Sequence, residues 1–177
     1  MSLIIDGYNF LNATELAAGG PTAGTLAAAR LAVLNFVADS VTADQVRRTT
    51  VVFDAGVGAP RGRARVHAYR GLTVRFASDH QDADELIEKL IEADSAPRRL
   101  TVVSSDHRLH RAARRRRANP IDSDHWYAQV SRQRRCRDQQ RTDHGKPPPP
   151  ATAEEVEYWT RLFDQTTRQD KKPRSEK

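Results

Sequence analysis

The chain has 177 residues, of which 38% are hydrophobic and 29% charged, and it carries a formal net charge of +6. That is enough apolar sequence for one domain with a modest core and short appendages. Its single cysteine, Cys136, excludes an internal disulfide and a cysteine zinc cluster, and no segment approaches the length of a membrane span.

Residues 3–6 predict a buried first strand, entered from Met1 without a charged leader, so a cytoplasmic protein is expected. A polar loop is expected from Asn9 to about Gly24. Residues 25–40 carry Leu26, Leu31, Leu34 and Val37 at helical spacing. Residues 49–54 are β-branched and predict a second strand. The basic stretch 60–71 has no decisive pattern. LTVRF at 72–76 predicts a third strand, 82–94 an amphipathic helix, and 100–104 a fourth strand. A helix is expected from Asp106 to about Arg117, and a short fifth strand near Pro120–Ile121. Ser123 is placed as the N-cap of a basic helix reaching about Arg141. Strands separated by helices imply an α/β fold with a central parallel sheet.

Residues 146–151, opening KPPPP, predict a stiff linker. Thr152 and Glu155 form a capping-box pattern that opens an amphipathic helix over 152–165. Val156, Trp159, Leu162 and Phe163 share one face of it, to pack on the same domain or on a partner. Residues 166–177 are polar and are expected to be disordered.

Four aspartates stand where these elements meet. Asp6, Asp54 and Asp106 close strand-like runs, and Asp84 opens a helix. Strand ends of an open parallel sheet converge on one crevice. Carboxylates gathered there repel one another, and a hard, oxygen-preferring divalent cation relieves that repulsion. Asp6 lies in DGYN, where Gly7 permits a sharp turn and Asn9 can hydrogen-bond a carboxylate or a phosphate. An Asp-Gly pair is also an ordinary turn. Asp82 and Glu85 form a capping box, so Asp82 is read as a cap. Asp84 shares a helical face with Ile87 and Ile91 and should point inward, where an unpaired carboxylate is costly. The histidines show no metal-ligand spacing, and His80, His107 and His110 are read as surface or loop groups.

Positive charge is concentrated elsewhere. From Arg108 to Arg141 there are eleven arginines, no lysine and three acids, a net of +8, so the rest of the chain carries −2. A basic block beside an acidic metal site suits a phosphodiester substrate. Arg111, Arg114, Arg115, Arg116, Arg117, Arg134 and Arg135 are the expected phosphate contacts. The plainer alternative is a solvated helix face.

LIIDGYNFLN, VVFDAG, DADELIEKLI and TVVSSD, in this order, resemble the YacP-like ribonucleases, NYN domains of the PIN-like nuclease superfamily. The resemblance runs from Leu3 to about Val130. It implies a PIN-like three-layer fold over 1–145, a central parallel sheet flanked by helices with a C-terminal helical appendage. It also implies RNA cleavage dependent on one or two Mg²⁺ or Mn²⁺ ions. The family pattern falls on Asp6, Asp84 and Asp106 as metal-holding catalytic residues, and it also covers Asn9 and Asp54. Together with Asp82 and Ser105, Asn9 and Asp54 are the expected supporting residues around the site. Some relatives carry an acid four residues after the SSD aspartate, where this chain has His110. Ribosome-linked mRNA cleavage is the associated context, so RNA is the expected partner. The apolar face of the C-terminal helix is expected to meet a ribosomal surface or a second copy of the chain if it does not pack on its own domain. Tyr8 and Phe10 are candidates for base stacking, with core packing the alternative for Phe10.

Rival functions leave weaker traces. A haloacid-dehalogenase-like phosphatase needs a second aspartate where Tyr8 stands. A phosphate-cradling GxxxxGK[ST] loop is absent. A non-catalytic RNA- or ribosome-binding protein retaining the fold is the alternative of another class.

Overall fold

The computed structural model describes residues 1–14, 16, 26–54, 65–77 and 82–145. The expected linker, C-terminal helix and tail, together with His80, lie outside the described residues. Met1–Arg135 forms one compact unit, and a second begins at Cys136.

The elements are β1 (Ser2–Asp6), α1 (Gly7–Asn12), α2 (Leu26–Ser40), α3 (Ala43–Val46), β2 (Thr49–Phe53), β3 (Val66–Tyr69) and β4 (Leu72–Phe76). Then follow α4 (Ala83–Ala93), β5 (Leu100–Val103), α5 (His107–Arg115), β6 (Asn119–Ile121) and α6 (Ser123–Gly145). The strands form one sheet in the order β3-β4-β2-β1-β5-β6. All neighbours pair in parallel except β3, which runs antiparallel to β4. From β1 the chain builds outward to β2 and β4 on one side, then returns to build β5 and β6 on the other. The reversal opens a crevice at the C-terminal ends of β1 and β5.

Side chains alternate across the sheet, because successive residues of a strand face opposite ways. Leu3, Ile5, Val51 and Phe53 pack on one face with Phe10, Val33, Val37, Trp126 and Val130 from α1, α2 and α6. Ile4, Val52 and Val102 pack on the other with Ile87 and Ile91 of α4 and Leu109 of α5. The result is the expected three-layer α/β architecture. Ile87 and Ile91 are fully buried and anchor α4, and truncating such a residue to alanine costs about 2–5 kcal/mol.

Several local expectations are corrected. The loop expected from Asn9 begins as helix, because Asp6 caps α1 and accepts a hydrogen bond from Asn9 N–H at 3.1 Å. Gly7 is the first residue of that helix, and a Cβ there would overlap the Phe53 ring. In α2 the buried residues are Arg30, Val33, Leu34, Val37 and Ser40, whereas Leu26 and Leu31 are 42% and 45% exposed. Alanines on every side of this helix leave its apolar stripe poorly defined, and tertiary contacts choose the face. The unassigned stretch before Leu72 contains β3, joined to β4 by Arg70 and Gly71, both at positive φ (47° and 88°). A two-residue turn of that kind matches strand twist. Strand β2 ends at Phe53, leaving Asp54 beyond it, and α5 ends at Arg115. Ser123 is the first helical residue of α6 rather than its cap.

Candidate active site

Asp6, Asp84 and Asp106 all lie at the C-terminal edge of the sheet. Asp6 ends β1, Asp106 follows β5, and Asp84 stands in the first turn of α4, which returns from β4. Asp6 is 7% exposed, Asp84 and Asp106 are half-buried. Burial is the main force raising the Asp6 pKa to about 6, with the negative charges of Asp84 and Asp54 adding to it; hydrogen bonds from Asn9 N–H and the Ser104 hydroxyl work against the rise. Burial also raises the Asp84 pKa, helped by Asp106, Asp82 and Asp54 and opposed by Arg108. The carboxylates are therefore a mutually repelling group.

Hydrogen bonds hold this group from behind. Ser104, fully buried, donates its hydroxyl to Asp6 Oδ2 at 3.3 Å and accepts from Asp106 N–H at 3.1 Å. The Asn9 side chain hydrogen-bonds no carboxylate among the described residues, although its backbone N–H donates to Asp6. Its Oδ1 accepts from Ser105 N–H and from the Ser123 hydroxyl, each at 2.8 Å. Ser123 N–H in turn donates to Ser105 Oγ at 3.1 Å. The ends of β1, β5 and β6 are thereby tied together. The Asp106 carboxylate caps α5 by accepting from Arg108 N–H.

Asp82 is the N-cap of α4, accepting from Glu85 N–H at 2.6 Å, as its spacing predicted. Asp54 accepts from Ala83 N–H at 2.7 Å, so it fixes the start of the same helix. Arg108 of α5 reaches across to α4. It donates to Glu88 through Nη2 at 2.9 Å and Nε at 3.2 Å, and its Nη1 lies 3.7 Å from Asp82. Those contacts, the Glu88 hydrogen bond first, raise the Arg108 pKa above its ordinary value.

His110 differs from its sequence assignment. It is buried, with Nε2 hydrogen-bonded to the Ser104 carbonyl oxygen and 3.8 Å from Asp122. It therefore supports the turn that carries Ser104 and Asp106. Ser104, Ser123 and Glu88 were also missed. Only the SSD run hinted at Ser104, and Ser123 is recognisable only once β6 lies beside β5. Phe10 is wholly buried and offers no stacking surface, whereas Tyr8 is half-buried.

Apart from Arg108, the arginine run of α5 stands away from the acids. α5 starts at the C-terminal end of β5, and β6 runs parallel to β5, so α5 must carry the chain back. Arg114, Arg115, Arg116 and Arg117 consequently lie at the far edge of the sheet, roughly 13 Å from Asp106 by the length of the helix. Arg111, Arg114, Arg115, Arg117 and Arg135 are exposed. Arg116 donates to the carbonyl oxygens of Glu92 and Asp94 and so closes the end of α4. Arg134 is half-buried over the Phe36 ring.

Among the described residues, no three acidic, histidine or cysteine side chains are already gathered as a ligand shell. The donor set nevertheless fits a hard divalent cation. It is all oxygen, and both raised pKa values have like charge among their causes, which a cation would offset.

A family model described as the YacP-like NYN domain matches residues 3–164. The fold is similar to the crystal structure of a point mutant of Rae1 (YacP) from Bacillus subtilis, with a TM-score of 0.60 and 24% identity over 88% of this chain and 90% of that one. It is also similar to the crystal structure of Rae1 (YacP) itself, with a TM-score of 0.56 and 21% identity over 96% of each chain. No curated protein matches the chain.

Proposed function

Because the chain belongs to the YacP-like NYN domain family, with the nuclease-type, RNA-directed function that membership carries, we propose that it is a metal-dependent endoribonuclease. The observation that carries this is Asp6, a buried carboxylate at the crevice whose pKa is lifted to about 6, partly by like charges. Capping α1 needs only an acceptor, which an uncharged asparagine or serine supplies, so a buried carboxylate crowded by like charges at the crevice favours a role beyond the cap. Asp6, Asp84 and Asp106 would hold Mg²⁺ or Mn²⁺, as one or two ions. When bound, such an ion acidifies a coordinated water so that hydroxide is available near neutral pH.

The chain's own residues supply position. Ser104 orients the Asp6 carboxylate and the Asp106 backbone together. Asn9, Ser105 and Ser123 lock the strand ends beneath them. Asp54 and Asp82 fix the first turn of α4, and so the place of Asp84. The exposed arginines of α5 and α6 neutralise RNA phosphates away from the point of cleavage. Ribosome-associated mRNA is the substrate class we favour, in cytoplasm. Among the described residues no helix is long and apolar enough to cross a membrane.

The test is cleavage of an end-labelled single-stranded RNA by purified protein with Mg²⁺, Mn²⁺ or a chelator. Internal cuts that require the metal and vanish in Asp84→Asn are expected. Tight RNA binding without any cleavage would replace this function with that of an RNA-binding protein retaining the fold.

A further inference from the structure

Arg30 is 7% exposed on the inner face of α2. Its guanidinium lies over two rings, 5.6 Å from the centroid of Tyr8 and 5.3 Å from that of Phe76. Nε donates to the Tyr8 hydroxyl oxygen at 2.7 Å. Nη2 is fully buried and has no hydrogen-bond partner. Arg30 forms no ion pair with any carboxylate among the described residues. A buried cation without a counter-ion is costly, and ring faces offset only part of the cost.

The location gives that cost a purpose. Tyr8 is two residues after Asp6 and packs edge-on against Phe53 at the end of β2, 5.3 Å between centroids. Phe76 ends β4. From Asp6 the chain thus turns Tyr8 toward the ends of β2 and β4, where Arg30 meets it, while Asn9 joins Ser105 and Ser123 on the β5–β6 side. Because the Tyr8 oxygen accepts from Arg30, its own proton is left to donate, and no acceptor meets it among the described residues.

We propose that Tyr8 and Arg30 form a phosphate-binding subsite beside the acidic cluster. It seats a phosphate next to the scissile one in single-stranded RNA, and it rests on the RNA-cleaving role above. Tyr8 makes the contact, its O–H donating to a non-bridging phosphate oxygen at roughly 2.7 Å. Arg30 is a positioning residue. It fixes the Tyr8 hydroxyl and supplies positive charge within Coulomb reach in a poorly solvated corner, where such charge acts more strongly than in water. No anion balances the pair among the described residues, and the substrate phosphate supplies one.

The experiment measures binding of a short single-stranded RNA to the full chain carrying Asp84→Asn, so that the RNA stays intact. Adding Tyr8→Phe keeps the ring and removes the donor, and should raise Kd about five- to tenfold. Adding Arg30→Gln should raise Kd and reduce the slope of log affinity against log salt by about 0.7, the value for one single-strand phosphate. An Arg30 with only a packing role would lower the melting temperature and leave that slope unchanged. An unchanged Kd in Tyr8→Phe overturns the subsite, and it decides alone if Arg30→Gln fails to fold. Metal-dependent cleavage by the parent chain is scored separately. Cleavage with no Tyr8 effect removes only the subsite, and Tyr8-dependent binding with no cleavage removes only the nuclease role.

Discussion

Asn9 and Ser123 are separated by 114 positions in the chain, yet the Ser123 hydroxyl donates to Asn9 Oδ1 at 2.8 Å. The same oxygen accepts from Ser105 N–H. One side chain therefore joins the ends of β1, β5 and β6, and the carboxylates of the crevice rest on that joint.

Asn9→Ala should cost about 1–3 kcal/mol of stability, because it leaves the Ser105 amide and the Ser123 hydroxyl without their acceptor. Asn9→Asp retains an acceptor but adds a negative charge near Asp6 to those of Asp84 and Asp54, so it should raise the Asp6 pKa further. Urea unfolding and titration of the two variants would check this. Equal stability of Asn9→Ala and the parent would show that water replaces the amide without loss.

Asp84→Asn should abolish metal-dependent cleavage while leaving stability equal or slightly higher, since it removes a charge disfavoured by burial and by Asp106. Asp82→Asn should be mild on both counts, because asparagine caps helices as well as aspartate. Matching losses of activity in the two variants would erase the distinction between cap and ligand.

The Asp6 pKa of about 6 exceeds its ordinary value of 3.8. Between these values the folded chain binds a proton that the unfolded chain has released, so the contribution of Asp6 to stability falls as pH rises from about 4 to 6. The full loss is about 3 kcal/mol, by the size of the shift. It should appear as a difference between the parent and Asp6→Asn in unfolding experiments across that range without metal. Adding Mg²⁺ or Mn²⁺ above pH 6 should restore stability to the parent and not to Asp6→Asn. A parent whose difference from Asp6→Asn is flat with pH would contradict this.

Replacing Arg114, Arg115 and Arg117 with alanine should weaken RNA binding to a similar extent for all sequences, with the salt slope falling by about 0.7 for each phosphate released. The reaction rate at saturating RNA should be unaffected, because α5 places these side chains at the far edge of the sheet from Asp106. Arg116→Ala should instead lower the melting temperature, as it frees the carbonyl oxygens of Glu92 and Asp94. A fall in the saturated rate for the triple variant would place the arginines nearer the chemistry than the helix does.

The sequence by itself determined the strand–helix alternation, the parallel core of the sheet and the edge at which Asp6, Asp84 and Asp106 lie. Those follow from local periodicity: continuous apolar runs make buried strands, and polar residues at their ends mark where the chain leaves the sheet. Asp82 was likewise legible as a cap, because capping is settled within one turn of helix. Only the tertiary structure decided which face of α2 turns inward. Arg30 is admitted there by two rings and a hydroxyl from distant segments, and no spacing within an alanine-rich helix encodes that. The burial of His110, the joining of Asn9 to Ser123, and the distance of the arginine run from the acids are of the same kind. Each depends on which strands become neighbours, and that is set by the packing of the whole sheet rather than by any window of residues.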